Sequence, residues 1–136
     1  MTIPRSTEGW DDVSQFQQHL GIATEDRADG RSRLRYVFKL EHGNRKGDVH
    51  GGVLATLMDL AISQAIRSLA PDIAGLSTIN MTVNYVETAR GDLVARGRVI
   101  KVGRTIAVGE ATCETADGTV CVQATGAFRI IRHRKP

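Results

Sequence analysis

In the run HGGVLATLMDLAIS, residues 50–63, a single carboxylate, Asp59, interrupts a segment that beyond its first residue, His50, is otherwise apolar, small or hydroxylic. Burying an ionised carboxylate is costly unless a partner compensates it or a reaction uses it. Asp59 therefore reads either as a catalytic base or nucleophile, or as one member of a local polar network that pairs it with an arginine. His50 beside it invites a Ser-His-Asp triad. The chain has no Gly-x-Ser-x-Gly elbow, however, and 136 residues are too few for an α/β-hydrolase, so that triad is rejected. Four scattered histidines (His19, His42, His50 and His133), with no Cys-x-x-Cys and no His-Glu-x-x-His, predict no metal site.

Composition narrows the partners. A chain of this length with 41% hydrophobic residues is one compact domain, residues 1–136, able to bury a core. The formal charge of +3 is modest and its only cluster is RIIRHRKP at the end, with a basic tail at 132–136. With three Phe, two Tyr and one Trp there are few platforms for stacked bases. A small anionic ligand fits this balance better than nucleic acid. MTIPRSTEGWDD lacks a basic segment followed by an apolar one, and the apolar run around Val53 to Ile66 is too short for a bilayer. A cytoplasmic protein with no membrane role is expected, in which Cys113 and Cys121, flanking the turn TADGT, stay free thiols.

The elements that must carry these residues follow from periodicity. Val13, Phe16 and Leu20 have helical spacing after Asp11 and Asp12, predicting a short helix over about 11–20 that Gly21 stops. From Arg33 the period becomes two, with Leu34, Tyr36, Phe38 and Leu40 on one face of a strand. EHGNRKGDV, 41–49, is a loop, and Gly51 to about Leu69 is a long helix, apolar on most sides, that Pro71 and Gly75 end. Then come an alternating strand through Ile79, Met81, Val83 and Tyr85 and three more over roughly 92–101, 104–115 and 119–131. The fold class is α+β: a curved antiparallel sheet wrapped around one long central helix. A parallel βαβ arrangement would need helices where the sequence has only tight turns.

Asn44, five residues, His50-Gly51-Gly52, six residues and Asp59, with GLSTINMTVNYV and KVGRTIAVGEAT beyond, resembles the hotdog-fold acyl-CoA thioesterases. The similarity covers about 33–130 and is to the subgroup of phenylacetate-pathway and hydroxybenzoyl-CoA thioesterases. It implies hydrolysis of an acyl-coenzyme A to free acid and coenzyme A, without cofactor or metal. Asp59 matches the catalytic carboxylate, and Gly51 the residue whose N–H polarises the thioester carbonyl. A glycine in the first turn of a helix suits that role, because unpaired N–H groups and the helix dipole converge there. Gly52 belongs to the same substrate-binding turn.

The other matches each have a plainer reading beside them. Asn44 matches a side chain that holds the thioester, although Gly-Asn-Arg is also an ordinary turn context. Ser77 matches a water-positioning residue and by period two shares a face with Ile79, Met81 and Val83; a serine satisfied by backbone is the alternative. His50 is implied to support the loop that presents Gly51. Arg90, Lys101 and Arg104 suit the phosphates of coenzyme A, or are simply solvated. The resemblance further implies a homodimer with active sites shared between chains, assembled as a dimer of dimers. A dehydratase or hydratase on the same thioesters would require a histidine placed for proton transfer at carbon, and a non-enzymatic acyl-CoA-binding protein would have no need of Asp59.

Overall fold

The computed structural model describes residues 13–133. Ser14 caps a short helix α1 (Gln15–Leu20), its side chain accepting from the Gln17 N–H, and Gly21 at φ 70° ends it. Asp11 and Asp12 lie outside the described residues. Strands β1 (Ile22–Ala28) and β2 (Arg31–Tyr36) form a hairpin, a long helix α2 (Gly51–Leu69) follows, and β3 (Ile73–Tyr85), β4 (Leu93–Val102), β5 (Ile106–Thr115) and β6 (Val120–Arg132) complete the chain. The six strands make one antiparallel sheet in the order β1-β2-β4-β5-β6-β3. Helix α2 packs against every one of them. This is the hotdog arrangement.

Close packing of helix on sheet depends on small residues. Along the register, Ser32 faces Gly97, Gly97 faces Ala111 and Ala111 faces Ala124, so a stripe of small side chains crosses four strands. A Cβ on Gly97 would stand 2.1 Å from the Ala61 carbonyl oxygen, and one on Gly109 2.7 Å from Ile62 Cγ2. The helix lies in this trough, and Ser32 donates to the Ala61 carbonyl at 2.6 Å. Leu57, Met58, Ile62 and Ile66 are fully buried against it, each stabilising by roughly 1.5–3 kcal/mol relative to exposure.

Several expectations are corrected. The strand from Arg33 stops at Tyr36, before Phe38 and Leu40: the Phe38 N–H goes to Asp92 Oδ1, and Leu40 lies exposed in a 3-10 turn, Leu40–His42, that swings His42 inward. Strand β1 was not expected, since among its residues only Ile22 is buried and the register shifts between Thr24 and Asp26. Gly75 does not end the helix but lies inside β3, Pro71 alone standing at the helix terminus. Helix α2 keeps an open face at Gly52, Thr56, Asp59, Ser63 and Arg67, because the sheet covers one side only. Cys113 and Cys121 are buried free thiols, and Cys113 pairs in register with Val122.

Candidate active site

The loop before α2 is organised by Asn44. Its Oδ1 accepts from the N–H groups of Lys46 (2.9 Å) and Asp48 (3.1 Å), and its own N–H bonds the Asp48 carbonyl at 2.8 Å. Using Oδ1 for the turn fixes the amide orientation and leaves Nδ2 as a donor. The hydrogen bonds of Asn44 are thus those of its plainer reading, a turn asparagine. A buried pair lies beneath the loop, Tyr36 Oη against His42 Nδ1 at 2.6 Å, and the His42 carbonyl accepts the His50 N–H at 3.0 Å. Burial pushes the Tyr36 phenol up from its ordinary range.

His50 is the N-cap of α2. Its Nδ1 accepts from Gly52 N–H at 2.8 Å and its carbonyl from Val53 and Leu54, which requires the tautomer protonated at Nε2. Gly51 N–H is left without a partner among the described residues, at the positive end of a nineteen-residue helix. It opens on a cleft of about 680 Å³ that Asn44, Val49, Gly51, Leu54, Tyr85 and Ala89 line, with Arg45 and Lys46 at the rim. Val49, Leu54 and Ala89 give it an apolar floor. Tyr85, which the sequence reading passed over, donates its O–H to the Gly51 carbonyl at 3.2 Å.

Asp59 does not reach this cleft. Eight residues further along the helix it is displaced by about 12 Å, half-buried on the open face, and its Oδ1 accepts from Thr78 Oγ1 at 2.6 Å. Ser77 is on the wrong face for that contact. It pairs with Arg129, whereas Thr78 pairs with buried Phe128, and the register shift between Thr78 and Asn80 restores Met81 and Val83 to the inner side. The bulge is why strict alternation selects the wrong hydroxyl. If Asp59 is the catalytic carboxylate that the resemblance implies, Thr78→Val is expected to lower kcat about tenfold with KM within twofold, the loss of one charge-assisted hydrogen bond, and steady-state kinetics will check it. An unchanged kcat would leave Thr78 no part in holding Asp59.

The expected phosphate ligands separate. Arg90 Nε pairs with Asp48 Oδ1 at 3.2 Å, tying down the loop beside the cleft. Lys101 and Arg104 lie at the other end of the sheet: Val102 is in register with Ala107, Ala107 with Phe128 and Phe128 with Thr78, on the Asp59 side. Arg104 also lends its carbonyl to Arg132 Nε at 3.2 Å. Of the basic tail, residues 134–136 lie outside the described residues. The Cys113 thiol is pushed up by its hydrogen bond with Cys121 and by burial, which makes it a poor nucleophile. Among the described residues no three His, Cys, Asp or Glu side chains converge on a metal position, and no helix is long and apolar enough to cross a membrane.

A sequence profile of the thioesterase superfamily matches residues 46–122. The chain is 43% identical over 124 residues to a Halobacterium salinarum protein named "Putative esterase", covering 83% of this chain and 82% of the other. A thioesterase family protein from Silicibacter pomeroyi superposes with a TM-score of 0.83 at 25% identity, over 88% of this chain and 91% of that one. The PaaI protein of the E. coli phenylacetic acid degradation operon shares the fold, with a TM-score of 0.80 at 19% identity over 87% and 85% of the two chains.

Proposed function

Because this chain belongs to the thioesterase superfamily, we propose that it hydrolyses an acyl-coenzyme A thioester to the free acid and coenzyme A. The observation that carries this reading is the Gly51 N–H, unpartnered among the described residues, at the helix N-terminus that lines a cleft together with Asn44. A thioester carbonyl seated there gains two donors, Gly51 N–H and Asn44 Nδ2, as negative charge builds on its oxygen. The apolar floor suits an acyl group, and Arg45 and Lys46 at the rim suit phosphates. Asp59, held by Thr78, either takes a proton from the attacking water or attacks the acyl carbon itself; in both cases the bond to sulfur breaks and the thiolate leaves, and in the second water then cleaves the mixed anhydride to release the acid and restore the carboxylate.

In this reading the carboxylate comes from a second copy of the chain. Gly51 and Asp59 of one helix stand too far apart to act on one carbonyl, and a homodimer with shared sites, itself paired into a dimer of dimers, removes the discrepancy. No bound cofactor or metal takes part. The cytoplasm is the compartment that suits a coenzyme A substrate and two buried, unpaired cysteines. A panel of aryl, medium-chain and long-chain acyl-CoAs, assayed by release of free thiol, tests the proposal. At least one is expected to turn over with kcat/KM of about 10⁴ M⁻¹s⁻¹ or more. Saturable binding without thiol release from any of them would make the protein a binder instead.

A further inference from the structure

Three of the side chains that line the cleft are both apolar and buried: Val49, Leu54 and Ala89. Val49 and Ala89 are tied by backbone, the Val49 N–H donating to the Ala89 carbonyl at 2.9 Å. Leu54 stands one turn beyond Gly51 in α2, about 4.5 Å along the axis, and residues at that spacing share a face. Helix side chains lean toward the N-terminus, so Leu54 leans back toward the turn that carries Gly51. It belongs to the cleft and to the core at once.

Behind Leu54 the seam between helix and sheet is shut. The next core positions of α2, Leu57 and Met58, have no exposure. At Ala61 the helix backbone meets the sheet: its carbonyl oxygen is 2.6 Å from Ser32 Oγ and leaves no room for a Cβ on Gly97. A hydrocarbon chain needs carbon contacts at about 3.5–4.0 Å on every side, so none threads between α2 and the sheet past these residues. Apart from the exposed Tyr85 and Val86, the rest of the lining is glycine or polar, with Arg45, Lys46, Asp48 and Glu87 among it. A longer chain finds little further apolar surface there.

We propose that Leu54 is a specificity-determining residue: it is the wall on which the acyl group ends, and it restricts the cleft to short or compact acyl groups. The turnover it governs rests on the thioesterase reading above, whereas the size limit applies to binding as well.

A straight-chain series from acetyl- to palmitoyl-CoA reads the limit. For the wild type, kcat/KM is expected to peak at butyryl or hexanoyl and then to level or fall. Leu54→Ala takes the wall away, and the ratio of octanoyl to butyryl kcat/KM is expected to rise about tenfold or more, the least that a well-seated methylene is worth in an apolar pocket. Because Leu54 also supports the core, Leu54→Val is measured beside it, with thermal melting of both, and its ratio is expected to move the same way by a smaller factor. Affinities of S-alkyl-CoA thioethers of the same lengths, which are not hydrolysed, are measured in parallel. A wild-type kcat/KM that climbs steadily from butyryl to palmitoyl would overturn the proposal, since each added methylene would then be finding apolar contact; that series decides whether or not the variants fold. An unchanged ratio in a folded Leu54→Ala would overturn it too. If no acyl-CoA is hydrolysed, the thioesterase reading fails, and the thioether affinities decide the size limit by the same comparisons, with no binding at any length counting against it.

Discussion

Asp59→Asn is expected to lower kcat about a hundred- to ten-thousandfold, the range that removal of a general base spans, while KM changes by less than about threefold. The amide keeps an oxygen for the Thr78 hydroxyl and preserves shape, so what is lost is the capacity to take a proton or form an acyl bond. Because Asp59 is half-buried and its polar contact is with the Thr78 hydroxyl, which the amide keeps, stability is expected to shift by less than about 1 kcal/mol. Thermal melting of the variant beside its steady-state kinetics separates the two effects. Wild-type turnover in a folded variant would remove Asp59 from the chemistry and return it to the polar network that its contact with Thr78 already forms.

How far the sequence could carry this site depends on which features are local. The start of α2 is local: a cap residue, two glycines and an apolar period are visible within a dozen positions, and Pro71 marks the other end. Strands β4 to β6 are legible for the same reason, their tight turns at Gly103 and Gly118 standing between alternating runs. Strand β1 is not, because an edge strand needs one buried face at most, and Ile22 is its only buried residue. The choice between Ser77 and Thr78 turns on a single extra residue near Ile79, and a one-residue slip moves every following side chain to the other face. Nothing in the adjacent hydroxyls announces it.

Glycines inside strands mislead in a different way. Read alone, Gly97, Gly109 and Gly126 weaken the strands that hold them. In the fold they are what lets α2 approach the sheet, since Gly97 lies under the Ala61 carbonyl and Gly109 under Ile62. Tyr85 escaped notice because its role is a contact between elements far apart in the chain: an alternating strand may end on any aromatic residue, and only the folded chain brings that hydroxyl to the Gly51 carbonyl. Arg45 and Lys46 read as loop charges until the cleft behind them is seen.

The shared site makes the largest claim on the geometry, and its test can be made sharper than an alanine pair. Strand β3 is an edge, thirteen residues long, with Ile79, Tyr85 and Val86 exposed on or just beyond it, a template for another strand. Antiparallel pairing of two β3 strands about a two-fold axis would set the Thr78 end of one copy beside the Tyr85 end of the other, and so bring Asp59 toward the partner's Gly51 cleft. Gly51→Pro deletes the donor cleanly: proline is favoured at the first position of a helix, and His50 at φ −63° and ψ 140° already has the backbone that precedes proline. Each of Gly51→Pro and Asp59→Ala is expected to lose about a hundredfold or more in kcat as a homodimer. Differently tagged chains, one carrying each substitution, are co-expressed and the mixed dimer is isolated through both tags. One of its two sites then has an intact Gly51 facing an intact Asp59, and activity is expected to return to about half that of the wild type. A mixed dimer no more active than its parents would place both residues' work within one chain, and the 12 Å along α2 would then have to be closed by a movement of the helix instead of by a partner.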